Sequence, residues 1–132
     1  MDETLKTIEQ FHGHLGPYVI LGYKMGIIAN NHLGSDPFEK TVIVTTGTNP
    51  PISCLIDGIQ ISSGCTLGKG SIKVTNESIP KAMFSNKKGD MITIALNKNV
   101  QQEIDNQVTE ENMSRYSEDF YNRLDTDLFI IE

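Results

Sequence analysis

PYVILGYKMGIIANNHLG, residues 17–34, is the stretch on which the fold turns. Pro17 suits the first turn of a helix, where its missing N–H would have no partner anyway. Gly34 is the natural stop at the other end. Between them, Gly22 and Gly26 stand four residues apart, on one face of the predicted helix over residues 17–33. Glycine costs about 1 kcal/mol at each interior helical position. Two on one face predict close backbone packing against another helix.

Upstream of this stretch, residues 2–11 predict a short amphipathic helix with Leu5, Ile8 and Phe11 on one face. The break between the two helices reads FHGHLGP, residues 11–17. Downstream, Thr41-Val42-Ile43-Val44-Thr45-Thr46 is rich in β-branched residues and predicts a buried strand, broken by Asn49-Pro50-Pro51. A second helix fits residues 54–63, with Ser53 as N-cap and Gly64 past its end. A glycine-rich loop follows. Three short strands come next, near 71–76, 81–86 and 91–97, the last two joined at Lys88-Gly89-Asp90. Thr109 to about Leu124 predicts a helix with Met113, Tyr116, Phe120 and Leu124 as its apolar stripe. Leu128-Phe129-Ile130-Ile131 is expected to pack on a core or a partner. Helix, strand, helix, three strands and terminal helices are not a regular βαβ alternation. The expectation is an α+β layer fold with a mixed sheet. Residues 1–132 form one domain, with a core at about 5–97 and a helical tail at about 101–132.

The 132 residues suffice for one domain with its own core. The net charge of -6 repels phosphate backbones, so nucleic acid is not an expected partner. The acidic N-terminal residues lack a signal-peptide layout. No apolar run approaches the roughly 18 residues that span a bilayer. A cytoplasmic protein with no membrane partner is expected. In a reducing compartment the two cysteines, Cys54 and Cys65, read as ligands or reactive thiols.

Three constellations carry chemistry. His12 and His14 are two apart and cannot share a helix face, but can converge from a loop. Imidazole suits zinc, iron, nickel or copper; the bland alternative is that one histidine packs at the helix junction. Cys54 falls at the start of the second helix, where the dipole and free N–H groups would lower its pKa. Its alternative is a small buried hydrophobe. Asp57, one turn on, is either a ligand or a first-turn acid stabilised by the dipole. Gly64-Cys65-Thr66-Leu67-Gly68-Lys69-Gly70 fails the spacing of a phosphate-binding P-loop, yet its N–H groups and Lys69 could face an anion; otherwise it is a turn. A regular helix over 54–64 separates the cysteine backbones by about 15 Å. That excludes a disulfide within the chain and makes shared ligation hard. Either the helix is shorter, the cysteines serve different sites, or a dimer brings Cys65 of one chain near Cys54 of the other. His32, in the last turn of the long helix, suits the dipole.

Together, residues 11–17, Cys54-Leu55-Ile56-Asp57-Gly58-Ile59-Gln60 and Ser63 to Gly70 resemble the FmdE/FwdE family of formylmethanofuran dehydrogenase proteins, over about residues 5–96. The resemblance implies an α+β core like the catalytic domain of glyceraldehyde-3-phosphate dehydrogenases, an intertwined homodimer, and a metal site. It carries over His12, His14, Cys54 and Cys65 as metal ligands, and Asp57 and Lys69 more weakly. Many members bear a Cys-rich zinc finger that these 132 residues do not contain. Members often have cysteine where this chain has Gly16. The FmdE polypeptide is not the molybdenum- or tungsten-bearing part of that enzyme, so the resemblance does not imply a dehydrogenase.

The expectation is a homodimeric domain that binds zinc, or else nickel or iron, as an accessory or sensor in metal-linked redox or one-carbon metabolism. One alternative is a small enzyme using a metal-bound water, or a Cys54 thiolate with His12 or His14 as base. The other is an interaction module that docks a larger enzyme complex through Phe129-Ile130-Ile131.

Overall fold

A computed structural model of the chain describes residues 2–132. The helices are α1 (Glu3–His12), α2 (Pro17–Leu33), α3 (Leu55–Ser63), α4 (Lys98–Gln107), α5 (Met113–Asn122) and α6 (Asp125–Leu128). The strands are β1 (Lys40–Val44), β2 (Ile72–Val74), β3 (Lys81–Asn86), β4 (Met91–Leu96) and β5 (Phe129–Ile131). They form one sheet in the order β2-β1-β3-β4-β5. β1 and β2 run parallel and the other pairs are antiparallel. The architecture is therefore α+β with a mixed sheet, as the element order predicts.

Alternation along the strands sends one set of side chains toward the helices. Val42 and Val44 of β1, Ala82 and Phe84 of β3, and Ile92, Ile94 and Leu96 of β4 are buried there. They meet Val19, Ile20, Leu21 and Met25 of α2 in one core. The opposite face of the sheet exposes Ile43, Met91 and Ile130.

The predicted glycine packing is present, and α3 is the partner helix. A Cβ at Gly22 would overlap the carbonyl oxygen of Leu55, and one at Gly26 would overlap Ser62 Oγ. α3 contributes a third glycine: a Cβ at Gly58 would overlap the carbonyl oxygen of Val19 and the amide of Tyr23. Backbone lies on backbone along the crossing. Near its far end, the Asn30 amide Nδ2 donates to the carbonyl of Ser62 at 2.9 Å.

Two expectations need correction. Ser53 does not cap α3: Cys54 holds that position, without a side-chain cap bond. A 3-10 turn, Ile52–Cys54, leads in, and the Cys54 N–H bonds the Pro51 carbonyl at 3.1 Å. The turn's own backbone bonds take the place of the serine cap. The helix expected from Thr109 to Leu124 spans only Met113–Asn122, and α4 precedes it. α4 buries only Val100 and Ile104, too few apolar residues to announce it. The terminal apolar run packs on the core, as expected. Phe129–Ile131 is a sheet strand paired with β4, and Phe129 is buried.

Polar contacts tie the C-terminal helices to the core. Lys24 Nζ donates to the carbonyls of Phe120, Tyr121 and Arg123 at 3.1, 3.0 and 2.6 Å, capping the end of α5. Burial lowers the Lys24 pKa, against the favourable charge of Asp125. Arg123 holds both oxygens of Glu103 on α4, at 2.9 and 2.7 Å, and also bonds Asp119.

Replacing Gly58 with Ala should destabilise the chain by about 3 kcal/mol or more, because the new methyl meets backbone that cannot turn aside. Gly68, with nothing within 4 Å of its added Cβ, is the control, and its alanine variant should unfold at nearly the wild-type urea midpoint. Equal midpoints for the two variants would sink the close-packing account.

Candidate metal and ligand site

α1 ends at His12, and the chain reverses at Gly13, whose φ of 105° lies in the left-handed region that suits glycine. The Gly13 N–H closes the helix on the Glu9 carbonyl at 2.8 Å. Gly16 is extended, with φ -138° and ψ 157°, and Pro17 starts α2. His12 and His14 project from this turn with ring centroids 5.0 Å apart and planes inclined by 38°.

The α2–α3 crossing brings the start of α3 against this turn. His12 Nδ1 lies 2.6 Å from Asp57 Oδ2, and the His12 side chain is only 9% exposed. The carboxylate accepts, so Nδ1–H donates, and in the neutral ring this leaves the lone pair on Nε2. Asp57 therefore orients a histidine; of its two readings at the sequence level, the geometry favours a part in the site over a mere first-turn acid.

Cys54, at the N-cap of α3, faces the same cavity of about 260 Å³. His12, His14 and Cys54 supply polar groups on one side of it, and residues 16–19 and Pro51 line it too. Ile104, Asp105 and Val108 of α4, with Met113 of α5, line it from the C-terminal helices. A Cβ at Gly16 would lie 3.4 Å from His14 Nε2, so glycine leaves space beside that ring.

Burial pushes the Cys54 thiol pKa up, and the Asp57 charge adds to the shift. Desolvation and a neighbouring carboxylate both oppose the thiolate, in the direction opposite to the helix-dipole effect expected from the sequence. Tyr18 is pushed up to about 12 by burial and then by the Asp105 charge, against a hydrogen bond with Gln101.

Cys65 and Lys69 are not brought to this cavity. Cys65 follows the other end of α3, is fully buried, and lies beside the buried Lys40. The length of α3, about 13 Å for nine residues, separates it from Cys54. Its complete burial also keeps it from the Cys54 of a second copy in this conformation. Lys69 sits in an exposed turn, 5.5 Å from the Phe38 ring centroid. His32 bonds its own helix at the Ile28 carbonyl, 2.9 Å away. Among the described residues, no three His, Cys, Asp or Glu side chains form a group able to hold a metal ion as they stand.

The wall from α4 and α5 is what sequence reasoning missed. Met113 belongs to the predicted apolar stripe, but nothing in the pattern marks Asp105. It is one of two acids, with Glu103, on an amphipathic helix.

The chain is similar to a solved structure of a tungsten formylmethanofuran dehydrogenase FmdE-like protein from Syntrophus aciditrophicus. The TM-score is 0.72 at 23% identity, covering 98% of this chain and 69% of that one. It is also 38% identical, over 69 residues, to a probable S-adenosyl-L-methionine-binding protein of Archaeoglobus fulgidus, covering 48% of this chain and only 18% of the relative. The family model described as FmdE, molybdenum formylmethanofuran dehydrogenase operon, matches residues 11–130. With nearly the whole chain matched, turn, helix crossing and terminal wall included, this protein belongs to the FmdE family.

Proposed function

We propose that the chain is a metal-binding accessory or sensor protein in formylmethanofuran-related or other metal-linked one-carbon metabolism. His12 and His14 hold the ion, and Cys54, which lines the same cavity, completes the donor set once its side chain turns to them. One observation carries this reading: Asp57 fixes His12 through Nδ1 at 2.6 Å and leaves Nε2 for a ligand. Metal-binding histidines commonly donate their other N–H to a carboxylate in this way. The ring spacing agrees. Two imidazoles on one tetrahedral zinc, with bonds of about 2 Å, have centroids about 5 Å apart, and these are 5.0 Å apart. Mixed N and S donors suit zinc, with nickel or iron as alternatives.

When bound, the ion supplies a Lewis acid at an open coordination position. The protein's own residues hold the His12 imidazole in place and exclude much of the water around it, while His14 is exposed. Cys54 would have to lose its proton to ligate. Its raised pKa works against the alternative in which a free thiolate is the nucleophile.

A homodimer is the second part of the reading. It is supported by the uncovered sheet face, where Ile43, Met91 and Ile130 are exposed. Apolar residues gathered on one face of a sheet favour a protein partner over water.

Metal content per chain, on untagged protein, tests the site. Zinc, nickel or iron near one equivalent should be lost in His12→Ala and His14→Ala, and reduced about 10- to 100-fold in affinity in Asp57→Asn. No metal, and no uptake on titration, would overturn the reading. Iodoacetamide tests the thiol. In metal-free Cys65→Ser protein, Cys54 should alkylate more slowly than a model thiol at neutral pH. The rate should climb as pH rises toward the raised pKa, and zinc should suppress it. Fast alkylation at neutral pH would restore the nucleophile reading. Sedimentation should show a dimer, and Ile43→Lys should shift it to monomer; a wild-type monomer at micromolar concentration removes that part.

A further inference from the structure

The charges around the cavity are unequal. Among the described residues, no lysine or arginine lines it. Of the two guanidiniums on the C-terminal helices, Arg123 is tied to Glu103 and Asp119 and Arg115 lies by the Tyr116 ring, and neither lines the cavity. The Asp57 charge is engaged by His12. Asp105 also lines the cavity, and it has no hydrogen-bond or ion-pair partner among the described residues. Its charge reaches the buried Tyr18 across the cavity wall. Ile104, Val108 and Met113 around it are apolar.

A carboxylate set among apolar side chains, with no cation of the protein's own, attracts a positive group and repels a negative one. We propose that this cavity takes a small molecule with an apolar body and a positively charged amine, and that Asp105 on α4 selects the amine. The proposal rests on the reading of the cavity as the ligand site. The ligand's other end would lie toward His12, His14 and Cys54. The start of α2 also faces the cavity, and its dipole amounts to about half a positive charge at most. It suits an oxygen on that side of the ligand and does not cancel a full carboxylate on the α4 side.

The size of the effect follows from exposure. Asp105 is exposed, so water and salt screen it, and a contact of this kind changes affinity by no more than about fivefold. Selection of this size appears as a ratio between matched probes.

The test uses the full chain after treatment with a chelator, so that it does not depend on metal. Hexylamine, 1-hexanol and hexanoate are titrated at low salt, and binding is read from the backbone amide NMR signals of Val19, Val108 and Met113. Hexylamine should bind tightest, up to about fivefold over hexanol, with hexanoate weakest. In Asp105→Asn the amine-to-alcohol ratio should fall to about one. Asp90→Asn, the same charge change at the β3–β4 turn, should leave the ratio as in wild type. The proposal fails if hexanoate equals or exceeds hexylamine, if Asp105→Asn keeps the preference, or if none of the probes shifts the cavity amides. Zinc uptake by the same preparations reports on the metal reading separately. Its absence beside an intact amine preference would overturn the metal site and uphold the cation site.

Discussion

Backbone contact between α2 and α3 sets where everything else in the molecule can lie. Gly22 and Gly26 on one helix and Gly58 on the other remove the side chains that would hold the axes apart. Each glycine costs about 1 kcal/mol in helix propensity. The close approach offsets that cost by dense packing of two backbones above the sheet. It also has a geometric result. The helices cross with their N-terminal ends together, and the chain just before α2 is the turn bearing His12 and His14. Cys54 and Asp57 stand at the start of α3. A crossing set by three glycines thus brings together His12 and Asp57, which are 45 residues apart in the chain.

The contact between His12 and Asp57 is where packing becomes chemistry. Asp57 is in the first turn of α3, a favourable place for an acid. There it holds an imidazole that is largely buried. The same carboxylate and the same burial discourage ionisation of Cys54. One environment therefore orients the His12 ring and disfavours the Cys54 thiolate.

The helix-facing side chains of the sheet support α2, and β5 pairs with β4 at the sheet's edge. Lys24 and Arg123 fasten α5 with bonds to carbonyls and carboxylates, so the wall over the site is held by polar contacts as well as apolar ones.

Local chemistry alone made several elements legible before any folding was considered. Pro17 and Gly34 bound α2, the β-branched run around Val42 marks β1, and Gly22 and Gly26 announce a close helix contact. His12, His14 and Cys54 stood out as candidates because those residue types beside such turns can carry chemistry, although each also has an ordinary packing role. The family was legible from the same motifs, since their order and spacing survive without a structure. Which of these residues meet was a matter for long-range packing. Cys65 lies within a similar motif but follows the buried end of a nine-residue helix, and a rigid helix keeps its two ends apart. α4, β5 and the placement of Asp105 were not legible either. A weakly apolar helix and a three-residue strand are stabilised by what they pack against, and that information is not local to their residues.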